Sequence, residues 1–293
     1  MRVFVLMFAL SLSPLVCAQE APEAADDPAQ VFVDSLHFQD GEVALPSARA
    51  TLKLPPSFRY LDAADAERVL TELWGNPPGS ESLGMLVPTA TSLADPDNSW
   101  AIVLQYDNDG YVSDEDAKEI DYQELLEDMQ EGARDSNPER ERQGYPAIEI
   151  VGWAESPRYD SGTHKMHWAK ELSVDGAAEH TLNYDVRVLG RSGVLTMRAI
   201  AGISQLSAIK PGMGEALGAV DFNQGARYAD FNPNTDRVAE YGLAALVAGG
   251  IAAKTGLLSK LLALLIAGKK LVIGGFVLLA AGVSKLFGKK TES

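Results

Sequence analysis

Cysteine is almost absent, with a single residue, Cys17, among 293. It lies just after an apolar N-terminal run and just before the cut of a segment with the pattern of a cleaved leader. The mature chain would therefore carry no disulfide and offer no thiolate to a metal or substrate. Histidine is scarce too, with four residues. No GxSxG, HExxH, Walker or GxGxxG string occurs, so the common signatures of hydrolase, zinc-helix and nucleotide chemistry are missing. Positive charge is thin outside the C-terminus, and the formal net charge is −16. A domain so acidic lacks the basic footprint that nucleic-acid binding requires.

The two ends are apolar and the middle is acidic. MRVFVLMFALSLSPLVCAQ has a charged start at Arg2, an apolar run from Val3 to Leu12 and small residues before a cut after Ala18, the pattern of a secretory signal peptide. A lipoprotein cut would need a small residue before Cys17, where Val16 stands. The expected organisation is a signal peptide over 1–18, a polar disordered lead-in over 19–30 and an exported domain over 31–240. An Ala/Gly-rich helix follows over 241–268, then a membrane anchor with a basic cytoplasmic end over 269–293.

Charge supports that division. All but one of the 41 acids precede Tyr241, while seven of the 25 basic residues follow it, leaving the domain at −23 once Arg2 of the leader is set aside and the tail at +6. Leu271 to Phe287, including Phe276 and Leu279, forms an apolar run of 17 residues, at the short end of what spans about 30 Å of hydrocarbon. One span after an exported N-terminus leaves Lys289 and Lys290 in the cytoplasm, as the positive-inside rule prefers. The rival is a hairpin with Gly242 to Ile266 as a first span. That would place Lys254 near mid-bilayer at about 2.5–3.5 kcal/mol. Ala245, Gly249 and Ala253 recur every four residues, a spacing that lets membrane helices approach closely and self-associate. The competing reading is a helix lying in the interface with Lys254 and Lys260 towards headgroups.

Within the domain, WAIVLQY (Trp100–Tyr106), AIEIVGWA (Ala147–Ala154), HKMHWAKEL (His164–Leu172), TLNYDVRVLG (Thr181–Gly190) and GVLTMRAI (Gly193–Ile200) read as strands. The last three are joined by short polar links and predict an antiparallel meander. Apolar residues on both faces of the first imply cover on both sides. Helices are expected over Asp62–Trp74, over Asp114–Ala133 with Ser113 as cap and Asp116 completing a capping box, and over Ser204–Val220 despite Pro211. The fold class is therefore α+β, a mostly antiparallel sheet with helices on one or both faces, followed by a helical membrane-anchoring tail. The order of sheet and helices resembles the Mog1/PsbP-like sandwich, a likeness of fold that implies no activity.

Few residue groups suggest chemistry. In DNDGYVSDED, Asp107, Asp109 and Gly110 match the middle of a calcium loop, with Asp116 at its last ligand position. Gln105 at the first position and the lack of a final Glu weaken the match. The competing reading is a turn at Asn108–Gly110 beside a helix start. His164 and His167, three apart on a strand, face opposite ways and cannot share a metal without a bulge. Asp185 and Arg187 share a strand face and are placed to pair. WGNPP (Trp74–Pro78) reads as helix-ending punctuation. Tyr145, Trp153, Tyr159 and Trp168 cluster about the middle strands, as core aromatics do.

WGNPP, DGYVSDEDA, GYPAIEIVGWAESPRY, HWAKEL, LNYDVRVLGRSGVL and AEYGLAALVAGGIAAKTGL together resemble a bacterial family of predicted membrane-anchored proteins, domain of unknown function 2167. The resemblance runs over nearly the whole mature chain. It implies export and C-terminal anchoring and brings no active-site residue. The resulting expectation is a non-enzymatic binding or scaffolding protein of the periplasmic face of the bacterial inner membrane. Its partners would be the bilayer, an envelope protein and a second copy of itself, not nucleic acid, and no cofactor is expected apart from calcium. The alternative is a calcium- or metal-dependent binding protein or an envelope hydrolase built on residues 107–116.

Overall fold

The computed structural model describes residues 27–248 apart from 77, 96 and 97. Helix α1 (Pro28–Asp34) begins three residues inside the expected lead-in. Asp27 caps it by accepting from the Ala29 N–H at 3.0 Å. Pro28 occupies a first-turn position where its missing N–H costs nothing. Val33 and Leu36 then bury into the core, which fixes this short helix despite its polar surroundings.

Strands β1 (Glu42–Leu45) and β2 (Ala50–Lys53) pair as a hairpin, and β3 (Phe58–Asp62) runs straight into α2 (Ala63–Arg68). Asp62 ends the strand and caps the helix, accepting from the N–H groups of Ala64 and Asp65 at 3.0 Å each. A π-helical turn over Val69–Leu73 extends α2, and Gly75, at φ +66°, closes it where WGNPP signals a stop. Strands β4 (Gly84–Pro88) and β5 (Ala101–Asp107) follow.

The next helix departs from the expectation. Residues Glu115–Lys118 make only a 3-10 turn, and α3 runs Tyr122–Arg142. Two capping signals stand in series here. Ser113 accepts from Glu115 N–H at 3.3 Å, whereas Asp121 accepts from Gln123 and Glu124 N–H at 2.9 and 3.1 Å. The stronger cap sets the start of the long helix.

Strands β7 (Lys165–Val174), β8 (Thr181–Leu189) and β9 (Val194–Gly202) form the predicted meander, and β6 (Ile148–Asp160), reaching six residues beyond its expected end, pairs with β7 and extends it. A 3-10 turn at Ile203–Gln205 precedes α4 (Leu206–Gly218), and β10 (Val220–Phe222) joins β2. Past a 3-10 turn at Tyr228–Asp230 comes α5 (Leu243–Ala248). The result is an α+β fold with two antiparallel sheets, β1-β2-β10 and β3-β4-β5-β9-β8-β7-β6, and few helices.

Strand alternation divides the packing. Ile102 and Leu104 of β5, Leu182, Tyr184 and Val186 of β8, and Leu195 and Met197 of β9 face α4 and the small sheet in one large apolar cluster. The opposite face is covered in two pieces. Ala101 and Val103 pack with α1 and α2, while Met166, Trp168, Leu189 and Val194 pack under α5 and the turns beside it. Both faces of β5 are buried, as its apolar alternation implies.

Strand β6 is an edge of the large sheet, and α3 guards it. Asn137 Nδ2 donates to Ile148 O at 3.0 Å while Asn137 Oδ1 accepts from Ile148 N–H at 2.9 Å, and Gln130 Nε2 donates to Ile150 O at 2.9 Å. Side-chain amides thus stand in for a neighbouring strand and blunt an exposed edge. Replacing Asn137 with Ala removes a donor and an acceptor together. Urea unfolding should show a loss of about 1–3 kcal/mol, and an unchanged midpoint would refute this role.

Candidate functional site

The face of the large sheet between its two apolar covers is charged. On β8, sending Leu182, Tyr184 and Val186 towards α4 forces Asp185 and Arg187 to the other side. Register then sets Trp168 of β7 and Arg198 of β9 opposite Asp185, one on each flank, with Lys170 two positions along β7. Arg198 Nε donates to Asp185 Oδ1 at 2.8 Å and Arg187 Nη1 donates to the same oxygen at 3.1 Å. The Arg187 guanidinium also lies 5.0 Å over the Trp168 ring.

Burial and charge oppose each other here. Asp185 is fully buried and Arg187 nearly so, while the Arg198 side chain is 29% exposed. Burial pushes the Asp185 carboxyl up, but Arg198, Arg187 and Lys170 outweigh it and hold the group below the usual carboxylate range. Burial lowers Lys170, countered in part by Asp185, and lowers Arg187 against the same partner. Asp185 Oδ2 and Trp168 Nε1 are buried without a hydrogen-bond partner among the described residues. Arg198, Arg187 and Lys170 all act on Asp185, and Asp107 also acts on Arg187, so the set is suited to ion pairing.

Asp185 and Arg187 do pair, as their shared face predicts. Lys170 and Arg198 escaped the sequence reading because each alternates with apolar neighbours inside a strand. Only the cross-strand register reveals that they meet Asp185.

The acidic loop does something other than gather its carboxylates. Asp107 ends β5, Asp109 lies 3.8 Å from Arg237 and accepts from the Tyr241 hydroxyl at 3.1 Å, and Asp116 accepts from Leu243 N–H at 3.3 Å. Tyr111 bonds the same segment through its backbone, donating to Arg237 O and accepting from Ala239 N–H, both at 2.8 Å. Gly110, at φ +112°, lets the chains meet, since a Cβ there would lie 2.7 Å from Arg237 O. The loop is a cradle for residues 237–243. Among the described residues no three His, Cys, Asp or Glu side chains form a metal-holding group, and Asp107, Asp109 and Asp116 are not brought together as one.

The cradled segment leads into α5, whose Leu243, Leu246 and Val247 are buried with Val112, Met166, Trp168 and Tyr228. Residues 241–248 therefore belong to the domain, and the expected boundary at 240 falls inside a packed unit. Ala245 is half-buried on this helix. Gly249 and Ala253, together with Leu271, Phe276, Leu279, Phe287, Lys289 and Lys290, lie outside the described residues. Among the described residues no helix is long and apolar enough to cross a membrane.

An aromatic stack supports α5. Tyr111 lies 4.5 Å from Tyr228 and 3.8 Å from Phe231, and His164 lies 4.1 Å from Tyr228. His164 also sits 3.2 Å from the Tyr159 hydroxyl, which donates to Asp114 at 2.6 Å. Burial first, and then Asp114, push the Tyr159 phenol far up, so it remains a protonated donor and not a nucleophile. His167 sits apart, accepting from Arg158 Nε at 3.2 Å and held below its ordinary value by burial and then by Arg158. The two histidines do not act as a pair.

Asp185→Ala would leave Arg187 buried without its partner. Urea unfolding should show about 3–5 kcal/mol of destabilisation, and a loss under 1 kcal/mol would remove the pair from its central role. Because the folded carboxyl titrates below its unfolded value, its contribution is fully present above about pH 4. That contribution disappears as pH falls through the folded pKa. Asp185→Asn should accordingly flatten the acid limb of stability against pH.

Three solved structures are similar at low identity. The cyanobacterial PsbP of Synechocystis sp. PCC 6803 has 10% identity and a TM-score of 0.35, over 62% of this chain and 91% of that one. The Ran-binding protein Mog1p of Saccharomyces cerevisiae has 14% identity and a TM-score of 0.33, over 64% and 96%. LpqN of Mycobacterium tuberculosis, described as involved in cell envelope biogenesis, has 16% identity and a TM-score of 0.30, over 64% and 93%. No curated protein matches. The family model described as "Protein of unknown function (DUF2167)" matches residues 37–281, and the chain belongs to that family.

Proposed function

We propose that this protein is a non-enzymatic binding or scaffolding component of the bacterial cell envelope. In this reading it is exported, held in the inner membrane by residues 269–293, and displays its acidic domain in the periplasm to an envelope protein or a second copy of itself. The observation that carries the reading is the packing of α5. Leu243, Leu246 and Val247 are buried in the domain, only 23 residues before the expected span begins at Leu271. The last described helix is thus packed into the domain, and residues 249–270 join it to the expected anchor. The contrast between a −23 domain and a +6 tail favours the same arrangement beside anionic lipid, with the acids standing off the surface.

The direct test is fractionation of cells expressing the full chain, followed by crosslinking and recovery of bound proteins. The expected result is retention in the alkaline-washed membrane pellet, with loss from it when Leu271, Phe276 and Leu279 are all changed to Asp. Crosslinking should recover a defined partner or a dimer. Wild-type protein in the soluble fraction would overturn the anchoring. Failure to crosslink to any protein, itself included, would overturn the binding role.

The clasp has its own test. Gly110→Ala places a methyl group against Arg237 O at a backbone angle that side chains rarely adopt. Limited proteolysis of the full chain should then cut between 237 and 243 at least about tenfold faster than in the wild type, matching a local loss of about 1.4 kcal/mol or more. Equal rates would mean that the loop does not hold the tail.

A further inference from the structure

We propose that the cleft between α1 and the chain leaving β4 is a binding site for a small monocarboxylate with an apolar body, of the short-chain fatty acid type. The inference is independent of the membrane reading and rests on different residues. The cleft has a volume of about 720 Å³, within the usual range of small-molecule sites. Three parts of the chain line it: α1 with the residues just after it, the register partners Arg59 of β3 and Val87 of β4, and residues 89–93.

Among the described residues Arg59 is the one cation lining the cleft, and its guanidinium makes no hydrogen bond or ion pair. Its central carbon lies 3.8 Å from the centre of the Phe38 ring, which also lines the cleft, so a direct contact fixes where the group sits. Nε is buried there without an acceptor, whereas the two terminal nitrogens are not buried and remain for a ligand. In a domain at −23 acids are plentiful, and an arginine without one of its own is free to take an anion from outside. Ser92 Oγ, also in the lining, accepts from Ala94 N–H at 3.2 Å and keeps its own proton to donate.

The rest of the lining narrows the ligand. Val33, Leu36, Val87 and Leu93 give the cleft apolar walls. Asp34 lines it as well and accepts from Gln30 Nε2 at 2.7 Å, so one side already carries negative charge. A single guanidinium answers a single planar carboxylate, two nitrogens to two oxygens. A dianion such as phosphate would bring a second charge that no other lining cation meets, in a cleft shared with Asp34. Apolar walls beside one charge-assisted contact suit a hydrocarbon that ends in one carboxylate.

Isothermal titration of the full chain in neutral detergent, at constant ionic strength set with chloride, tests this with hexanoate, its neutral isostere hexanamide, acetate and inorganic phosphate. Hexanoate should bind saturably and about tenfold or more tightly than hexanamide, the ratio expected for one charge-assisted contact. It should exceed acetate by about tenfold or more too, because acetate lacks the hydrocarbon that the walls would bury. Arg59→Gln should weaken hexanoate about tenfold while circular dichroism stays native. No saturable hexanoate binding, equal affinity for hexanamide or acetate, or tighter binding of phosphate than of hexanoate would overturn the proposal. Undiminished hexanoate binding in a natively folded Arg59→Gln would do the same. The hexanoate-to-hexanamide ratio is read on unmodified protein, so it decides the matter even if the variant fails to fold.

Discussion

Asp185 is the interaction on which one side of the structure depends. It is a fully buried carboxylate on an inner strand of a seven-stranded sheet, and a single oxygen of it receives both Arg187 and Arg198. Such a group is tolerable only while its partners are in place, because the desolvation of an unpaired carboxylate outweighs most packing gains. That requirement fixes the register of β7, β8 and β9 against one another. A slip by one residue would turn Asp185 and Arg187 into the apolar cluster under α4 and expose Tyr184 and Val186 in their place.

The same requirement divides the cover on that face. The α4 side is apolar throughout and needs one continuous layer, which α4 and the small sheet supply. The charged side cannot be capped by an apolar helix across its middle without stranding Arg198 and Lys170. Two separate covers are used instead, α1 with α2 over β4 and β5, and α5 with its aromatic supports over Met166 and Trp168. Arg187 touches both halves of this design, paired to Asp185, stacked on Trp168 and close enough to Asp107 to feel the loop that clasps the tail.

Much of the fold was legible. Strand alternation in β5 and in the β7–β9 meander marks the sheet and its double cover, and the two-residue spacing of Asp185 and Arg187 places that pair on one face. WGNPP was the punctuation it resembled. The long third helix was misplaced because Ser113 and Asp121 both carry capping chemistry, and sequence alone does not rank two adequate caps. The acidic run at 107–116 invited a metal because its composition is that of a ligand loop. In the fold those acids meet Tyr241, Arg237 and the Leu243 amide, which are more than 120 residues away in sequence.

What the sequence determined by itself follows from local periodicity and composition. It specified the antiparallel meander, the two-sided burial, the acidic domain with a basic apolar tail, and membership of its family. What only the tertiary structure decided depends on contacts between distant strands. Those contacts bring Lys170 and Arg198 to Asp185, turn the acidic loop into a clasp, and take the first turns of the small-residue tail into the core. Periodicity reports which face a side chain takes on its own strand. Which neighbours share that face is set by register and by packing across the whole chain, and the charged site exists only at that level.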